Sequence, residues 1–278
     1  MRQPTTPLDT ATVASLADRL RAASRTGIAC APVRDTIAAD DAAGAYAVQQ
    51  RLAELRLAGG ATIVGRKIGL TSPAVQKQLG VDQPDFGILF DDMGFDDGDA
   101  VPIGALLQPK VEAEVAFVLG ADLADGPLDA AQVRGAVAAV LPALEIVDSR
   151  IANWDITFVD TVADNGSSAL YVLGQPRRTL DEIEPVDVEM TMFAGDTQVS
   201  SGNGAACLGD PLTALAWLAR TARDFGQPLR AGQLVLSGAL GPMYPIRPGE
   251  HVRAELRGLG TVSASFTAST AGTASRAH

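Results

Sequence analysis

Gln108-Pro109-Lys110-Val111-Glu112-Ala113-Glu114-Val115-Ala116-Phe117-Val118-Leu119 reads as a β-strand. Val111, Ala113, Val115 and Phe117 recur at the strand period of two and share one face. Glu112 and Glu114 share the other, roughly 6–7 Å apart along the strand. Beyond them that second face turns apolar at Ala116 and Val118, which predicts a strand buried on both sides. Two like charges in such a place repel, so the pair needs a proton or a cation. A solvated edge strand is the alternative that the stretch alone leaves open.

Leu141-Pro142-Ala143-Leu144-Glu145-Ile146-Val147-Asp148 supplies the next piece. A single glutamate sits inside an apolar run. A buried carboxylate is costly unless it is neutralised, paired or bound to a metal. Three glutamates from two strands make an oxygen-rich site of the kind that suits Mg²⁺ or Mn²⁺, with positions left for water or substrate. A buried arginine partner for Glu145 stays open, and Arg150 is the nearby candidate.

The chain outside these strands is that of an ordinary globular protein. Its 278 residues are 47% hydrophobic and 20% charged, enough for one substantial core. A formal net charge of −11 disfavours nucleic acid and gives no attraction to anionic membranes. Cys30 and Cys207 form neither a disulfide framework nor a zinc pattern. No secretory h-region is visible at the start, and no run approaches the ~18 apolar residues of a membrane span. A cytoplasmic setting is the expectation.

Residues 9–25 have a helical apolar stripe, with Asp9 or Thr10 as cap and Gly27 as stop. A second helix follows Asp40-Asp41 and stops at Gly59-Gly60. Both are expected to serve packing or oligomer contact. Thr62 to Leu70 is a strand with Lys67 between apolar neighbours. A buried lysine often has a lowered pKa and handles protons, and a snorkelling lysine at a sheet edge is the alternative. A short helix is expected from Ser72-Pro73 to Gly80. Asp85 then lies in the loop Val81-Asp82-Gln83-Pro84-Asp85-Phe86-Gly87, where a carboxylate can be placed over a site.

Farther along, a helix is expected from Ala130 to Val140, handing over to the Glu145 strand at Pro142. Asn153 to Ser168 reads as a long polar connection with a tight turn at Asp164-Asn165-Gly166. Val186 to Phe193 alternates as a strand. Asp210-Pro211 starts the clearest helix, which stops at Gly226. Gln233 to Gly238, His251 to Leu256 and Thr261 to Phe266 are strands. No internal repeat, GxGxxG or P-loop is present.

An ordered set of segments resembles a known family: Gly65-Arg66-Lys67-Ile68-Gly69-Leu70-Thr71, the Asp85 loop, Val111-Glu112-Ala113-Glu114, Leu141 to Glu145, Val162-Ala163-Asp164-Asn165 and Ser237-Gly238-Ala239-Leu240-Gly241-Pro242. The family is that of the 2-keto-4-pentenoate (2-hydroxypentadienoate) hydratases, within the fumarylacetoacetate hydrolase superfamily. The resemblance runs from about Gly65 to Phe266. It implies a β-rich mixed roll or sandwich of the fumarylacetoacetate hydrolase type over 61–268; with the small helical N-terminal region over residues 1–60 and a frayed tail over 269–278 read from the residues themselves, an α+β chain is expected.

The resemblance also implies Mg²⁺ or Mn²⁺ held by Glu112, Glu114 and Glu145. Lys67 and Asp85 match catalytic positions beside the substrate, and Ser167, Ser237 and Gly238 match substrate-side positions. The implied substrate is a small 2-hydroxydienoate or 2-oxo acid. The implied reaction is hydration of 2-hydroxypenta-2,4-dienoate to 4-hydroxy-2-oxopentanoate, in meta-cleavage degradation of aromatic compounds. A homo-oligomer is expected, with association with another pathway enzyme as a further expectation. The rivals are a 2-oxo-3-hexenedioate decarboxylase of the same superfamily and a non-catalytic partner subunit. A C–C bond hydrolase would need a well-placed histidine, and only His251 and His278 exist.

Overall fold

The computed structural model describes residues 8–72, 76 and 83–269. The helix expected from Ser72 to Gly80, the start of the following loop at Val81-Asp82, and the tail beyond Ser269 fall outside the described residues.

Two helices come first, α1 (Thr10–Thr26) and α2 (Ala42–Ala58). Each starts where an aspartate accepts a backbone N–H three residues on: Asp9 from Thr12 and Asp41 from Gly44. Such caps satisfy donors that the helix itself cannot. Gly27 ends α1 at φ +69°, a conformation open to glycine at no steric cost. Leu16, Ala17 and Leu20 of α1 are buried against the main core, at about 1.5–3 kcal/mol for each large side chain removed from water.

The strands follow as β1 (Ile63–Gly69), β2 (Asp85–Phe90), β3 (Gly94–Asp96), β4 (Ala100–Pro102) and β5 (Lys110–Leu119). Helix α3 (Ala130–Ala136) leads into β6 (Val137–Val147), and α4 (Phe158–Ala163) precedes β7 (Ser168–Leu173). Strands β8 (Glu189–Ala194) and β9 (Thr197–Asn203) come before α5 (Pro211–Asp224). The chain closes with β10 (Leu234–Ala239), β11 (Tyr244–Pro245), β12 (His251–Leu256) and β13 (Gly260–Thr267).

Among the described residues the strands form two mixed sheets. The larger runs β2-β1-β10-β5-β6-β7-β3, with β11 added to β5. The smaller runs β4-β13-β12-β8-β9. Val111, Ala113, Val115 and Phe117 of β5 join Val252, Ala254, Val262 and Phe266 of the smaller sheet in the main core. The other face of β5 sends Ala116 into a second cluster with Leu141, Ala143, Tyr171 and Leu236. The chain is therefore α+β, and the two-glutamate strand is central and buried on both faces. No helix among the described residues is long and apolar enough to cross a membrane.

Several expectations need correction. The helix from Ala130 stops at Ala136, and β6 begins at Val137 instead of Pro142. Pro142 sits inside this central strand because its missing N–H falls where β7 ends: Pro142 pairs with Val115 on one side, and its carbonyl accepts from Gly174 on the other. Proline tolerates a strand where no ladder donor is required. The alternating segment from Val186 opens as a 3₁₀ turn, Pro185–Asp187, before β8. The polar connection after Asn153 contains α4, whose six residues are all buried. Asp160, within it, accepts from the backbone N–H groups of Val33 and Arg34 and pairs with the Arg34 guanidinium.

Candidate active site

Register places the acidic residues. Glu112 of β5 pairs directly with Glu145 of β6, and Glu114 pairs with Ala143. Directly paired residues project to the same face, so all three glutamates meet on the side of the smaller apolar cluster. One carboxylate oxygen from each lies within 4.8 Å of the others. Glu114 and Glu145 are fully buried, and Glu112 is 8% exposed.

Lys67 reaches the same point from β1. Its Nζ stands 3.0 Å from Glu145 Oε2, an ion-pair approach without the alignment of a hydrogen bond. Glu145 is thereby paired with Lys67. Arg150, the arginine expected as its partner, instead pairs with Asp164 and donates to the carbonyls of Asp148 and Ser168. Lys67 is 3% exposed, so it does not snorkel. Burial works against its charge, but Glu145, Asp85, Glu112 and Glu114 outweigh burial and raise its pKa above the ordinary lysine value. The expectation of a lowered pKa is corrected: Lys67 is a held ammonium.

Asp85 is the first residue of β2, paired with Gly69, and not part of a loop. Its Oδ2 accepts from Thr161 Oγ1 at 3.3 Å, while Oδ1 has no hydrogen-bond partner. A Cβ on Gly69 would stand 2.1 Å from that Oδ1, so only glycine admits the aspartate there. Burial raises the pKa of Asp85 against the pull of Lys67. Glu112 is pushed up to about 7, first by burial, with Lys67 opposing and Glu145 adding to it. Burial raises Glu114 as well, helped by Glu145 and Glu112.

The Ser237-Gly238 segment meets the site through its backbone. Pairing between β10 and β5 slips between Leu236 and Ala239, and this irregularity frees the Gly238 N–H to donate to Glu114 Oε2 at 2.8 Å. A bulge of this kind re-aims groups that a regular ladder would consume. Gly238 has φ +110°, and a Cβ there would stand 2.5 Å from Thr71 Oγ1. The Ser237 hydroxyl turns toward the Gly238 carbonyl, 3.5 Å away. Cys207 Sγ donates to that same carbonyl at 2.9 Å.

Ser167 is buried, and its hydroxyl has no hydrogen-bond partner. It ends a turn in which Asn165, Gly166 and Ser167 all have φ between 54° and 60°. Such backbone is strained for non-glycine residues and persists only where its surroundings hold it. Here the Asn165 side chain bonds both the N–H and the carbonyl of Ile88, and the Asp148 N–H donates to Ser167 O. The turn lies against Lys67: a Cβ on Gly166 would stand 3.2 Å from Lys67 Cδ.

Sequence reasoning singled out the Asp164-Asn165-Gly166 turn but gave it no part in the site. Thr161 and Gln49 were missed. Gln49 of α2 donates to the carbonyls of Phe86 and Val162, tying the N-terminal helices to the strand and helix that hold Asp85 and Thr161. Only its placement inside an apolar helix face hints at this. His251 is exposed on the smaller sheet and bonds Ser265 Oγ. His278 lies outside the described residues.

The donor set fits a hard divalent cation. Glu114 Oε1 and Glu145 Oε1 are buried with no hydrogen-bond partner. The ammonium of Lys67 faces four carboxylates, Asp85, Glu112, Glu114 and Glu145, and Lys110 bears on Glu112 as well. Carboxylates left without donors in a dry site are the ligands that Mg²⁺ and Mn²⁺ take.

Residues 64–267 match the family model described as fumarylacetoacetate (FAA) hydrolase C-terminal. The chain is 52% identical to a 2-keto-4-pentenoate hydratase of Burkholderia vietnamiensis (strain G4 / LMG 22486), covering 93% of this chain and 99% of that protein. It is 54% identical to 2-keto-4-pentenoate hydratase 2 of Dechloromonas aromatica (strain RCB), covering 89% and 94%. Among solved structures, 4-oxalocrotonate decarboxylase from Pseudomonas putida G7, complexed with magnesium and adipate, superposes with a TM-score of 0.90. It is 33% identical, and the match covers 94% of this chain and all of that one.

Proposed function

The chain belongs to the fumarylacetoacetate hydrolase family, and we propose on that premise that it is a metal-dependent hydro-lyase. It adds water to 2-hydroxypenta-2,4-dienoate, forming 4-hydroxy-2-oxopentanoate in meta-cleavage degradation of aromatic compounds. The observation that carries hydration over decarboxylation is the identity of 52% with a hydratase along almost the whole chain, against 33% with the decarboxylase.

Glu112, Glu114 and Glu145 would hold Mg²⁺ or Mn²⁺. When bound, such a cation polarises the 2-oxo group and stabilises the enolate-like charge beside it. Burial raises the pKa of Asp85 against the pull of Lys67, which favours a proton there.

Asp85 is thus poised to hold the proton that the dienol takes at C5, while the 2-hydroxyl proton passes to solvent water. The product of that step is a ketone conjugated to a C3–C4 double bond. The hydroxyl of water then adds at C4, and solvent water returns a proton to C3. Asp85, having given up its proton, is the base at hand for the water. Lys67, held as an ammonium by Glu145, favours negative charge on the substrate oxygens. Ser167 and the Ser237-Gly238 segment line the substrate side. Homo-oligomerisation, contact with another enzyme of the pathway and a cytoplasmic setting belong to the same reading.

The test is product analysis with Mg²⁺ or Mn²⁺ and two substrates in parallel. With the dienoate, its conjugated chromophore should bleach as 4-hydroxy-2-oxopentanoate accumulates. CO₂ release from 2-oxo-3-hexenedioate without hydration of the dienoate would replace the hydratase by the decarboxylase.

A second expectation follows from the raised carboxylates. Their folded pKa values lie above the unfolded ones, so the native state binds more protons between the two. Without metal, the stability linked to Glu112 is present below about 4.5 and is lost as pH rises through about 7. A cation binds the ionised form and offsets that loss. The difference in Tm between Mg²⁺ and EDTA should therefore grow from near zero at acid pH to about 5–10 °C at mildly alkaline pH. That range assumes ~2.7 kcal/mol at a hundredfold excess over Kd and ~2–4 °C per kcal/mol. A difference that does not change with pH would count against a metal on these carboxylates.

A further inference from the structure

On the face of β1 opposite Lys67, Arg66 borders a cavity of about 250 Å³ between α2, β2 and the end of α5. Arg66 is 4% exposed. Its Nη1 donates to the Gly65 carbonyl and its Nη2 to Gln227 Oε1, each at 3.0 Å. Nε has no partner, and Arg66 makes no ion pair among the described residues. Burial alone pulls its pKa down to about 10. Among the described residues the other buried cation, Lys67, has Glu145, and the partly buried Arg150 has Asp164. A buried charge without a counter-charge is costly, and a site keeps one where something brings the opposite charge.

Three aromatic rings, Tyr46, Phe86 and Phe225, share the lining with Gln49, Gln50 and Gln227. Tyr46 stacks on Phe86 with ring centroids 4.6 Å apart, and Phe225 tilts against Tyr46 at 4.7 Å. Phe225 is nonetheless 46% exposed, which leaves a ring at the mouth free for another flat group. Aromatic rings favour offset or tilted contact with a further π-system. Size limits the guest: an engineered apolar cavity of ~150 Å³ holds benzene, so 250 Å³ admits about one ring with a carboxylate.

We propose that this cavity binds a small planar carboxylate, an aromatic or conjugated monoanion. Arg66 receives its carboxylate, and the exposed ring of Phe225 at the mouth packs against its ring. The site stands apart from the acidic cluster and does not depend on the reaction assigned to it. Its occupant presses on Phe86, the neighbour of Asp85, whose carbonyl Gln49 also holds.

Calorimetric titration of the full chain in Mg²⁺ buffer tests this, with benzoate as the probe and benzamide as its uncharged isostere. Benzoate should saturate one site, and benzamide should bind at least tenfold more weakly. Arg66→Met should abolish that component. Ala47→Trp should do the same from an exposed helix position on the cavity wall, with basal turnover unchanged, and it carries the test if the Arg66 variant fails to fold. Benzoate heats that survive unchanged in the folded variants come from the metal centre and overturn the proposal. Absence of benzoate binding in the unaltered protein, or equal affinity for benzamide, overturns it too.

Discussion

Replacing Lys67 with methionine is expected to lower kcat by about 10³-fold or more while the protein still folds and still binds Mg²⁺. Loss of one positioned group in proton transfer or charge stabilisation typically costs 10²–10⁴-fold. Lys67 stands at the upper part of that range because its ammonium faces all four of Glu145, Asp85, Glu112 and Glu114. Methionine keeps much of the buried shape, so packing changes little. Glu145 loses the Nζ at 3.0 Å, which leaves its oxygens freer for a metal, so Mg²⁺ affinity should hold or rise. Dienoate absorbance gives kcat, and calorimetry gives the metal affinity. Turnover within tenfold of the unaltered protein would return Lys67 to a packing role. Loss of Mg²⁺ binding would make it a structural support of the carboxylates instead.

The second large effect is expected at Glu145. Glu145→Gln keeps the shape but removes a charge from the metal set and from the Lys67 pair. Mg²⁺ affinity should fall by at least about 10²-fold, and turnover should be lost at Mg²⁺ concentrations that saturate the unaltered protein. Breaking a buried pair from one side costs about 3–5 kcal/mol when the remaining charge is stranded. Here the residual carboxylates still surround Lys67, so the loss in thermal stability should be smaller than that range implies. Calorimetry on the folded variant, with its Tm as control, separates the two effects. Unchanged Mg²⁺ affinity in that variant would remove Glu145 from the ligand set.

Part of this was legible without coordinates because it is written in local periodicity. The two-residue alternation of β5 follows from the pleat, and it predicted a strand buried on both faces with Glu112 and Glu114 together. The helix starts at Asp9, Asp41 and Asp210 were readable because a capping side chain acts within its own turn. Lone charged residues in apolar runs, Lys67 and Glu145, marked burial that demands a partner. The ordered set of short segments carried the family.

Identity of those partners was not local. Glu145 could take an arginine or a metal as far as its neighbours tell. The pairing of β5 with β6 set Glu112 opposite Glu145, and β10, between β1 and β5, placed β1 so that Lys67 reached them. A shift of one residue in either register would have turned the same side chains to the other face. Arg150, five residues from Glu145, went instead to Asp164 at the end of α4. Asp85 read as a loop residue because Gln83 and Pro84 precede it, yet pairing with β1 draws it into a strand. The polar stretch that hides α4 looked solvated because Asp160 and Asp164 are charged. Both are buried against donors from distant segments: the backbone of Val33 and Arg34 for one, Arg150 for the other. Sequence by itself determined that β5, Lys67 and Glu145 had to be buried and carry charge, since sterics and local capping act within a few residues. Tertiary structure alone decided which charges meet, because that depends on strand register between segments tens to well over a hundred residues apart.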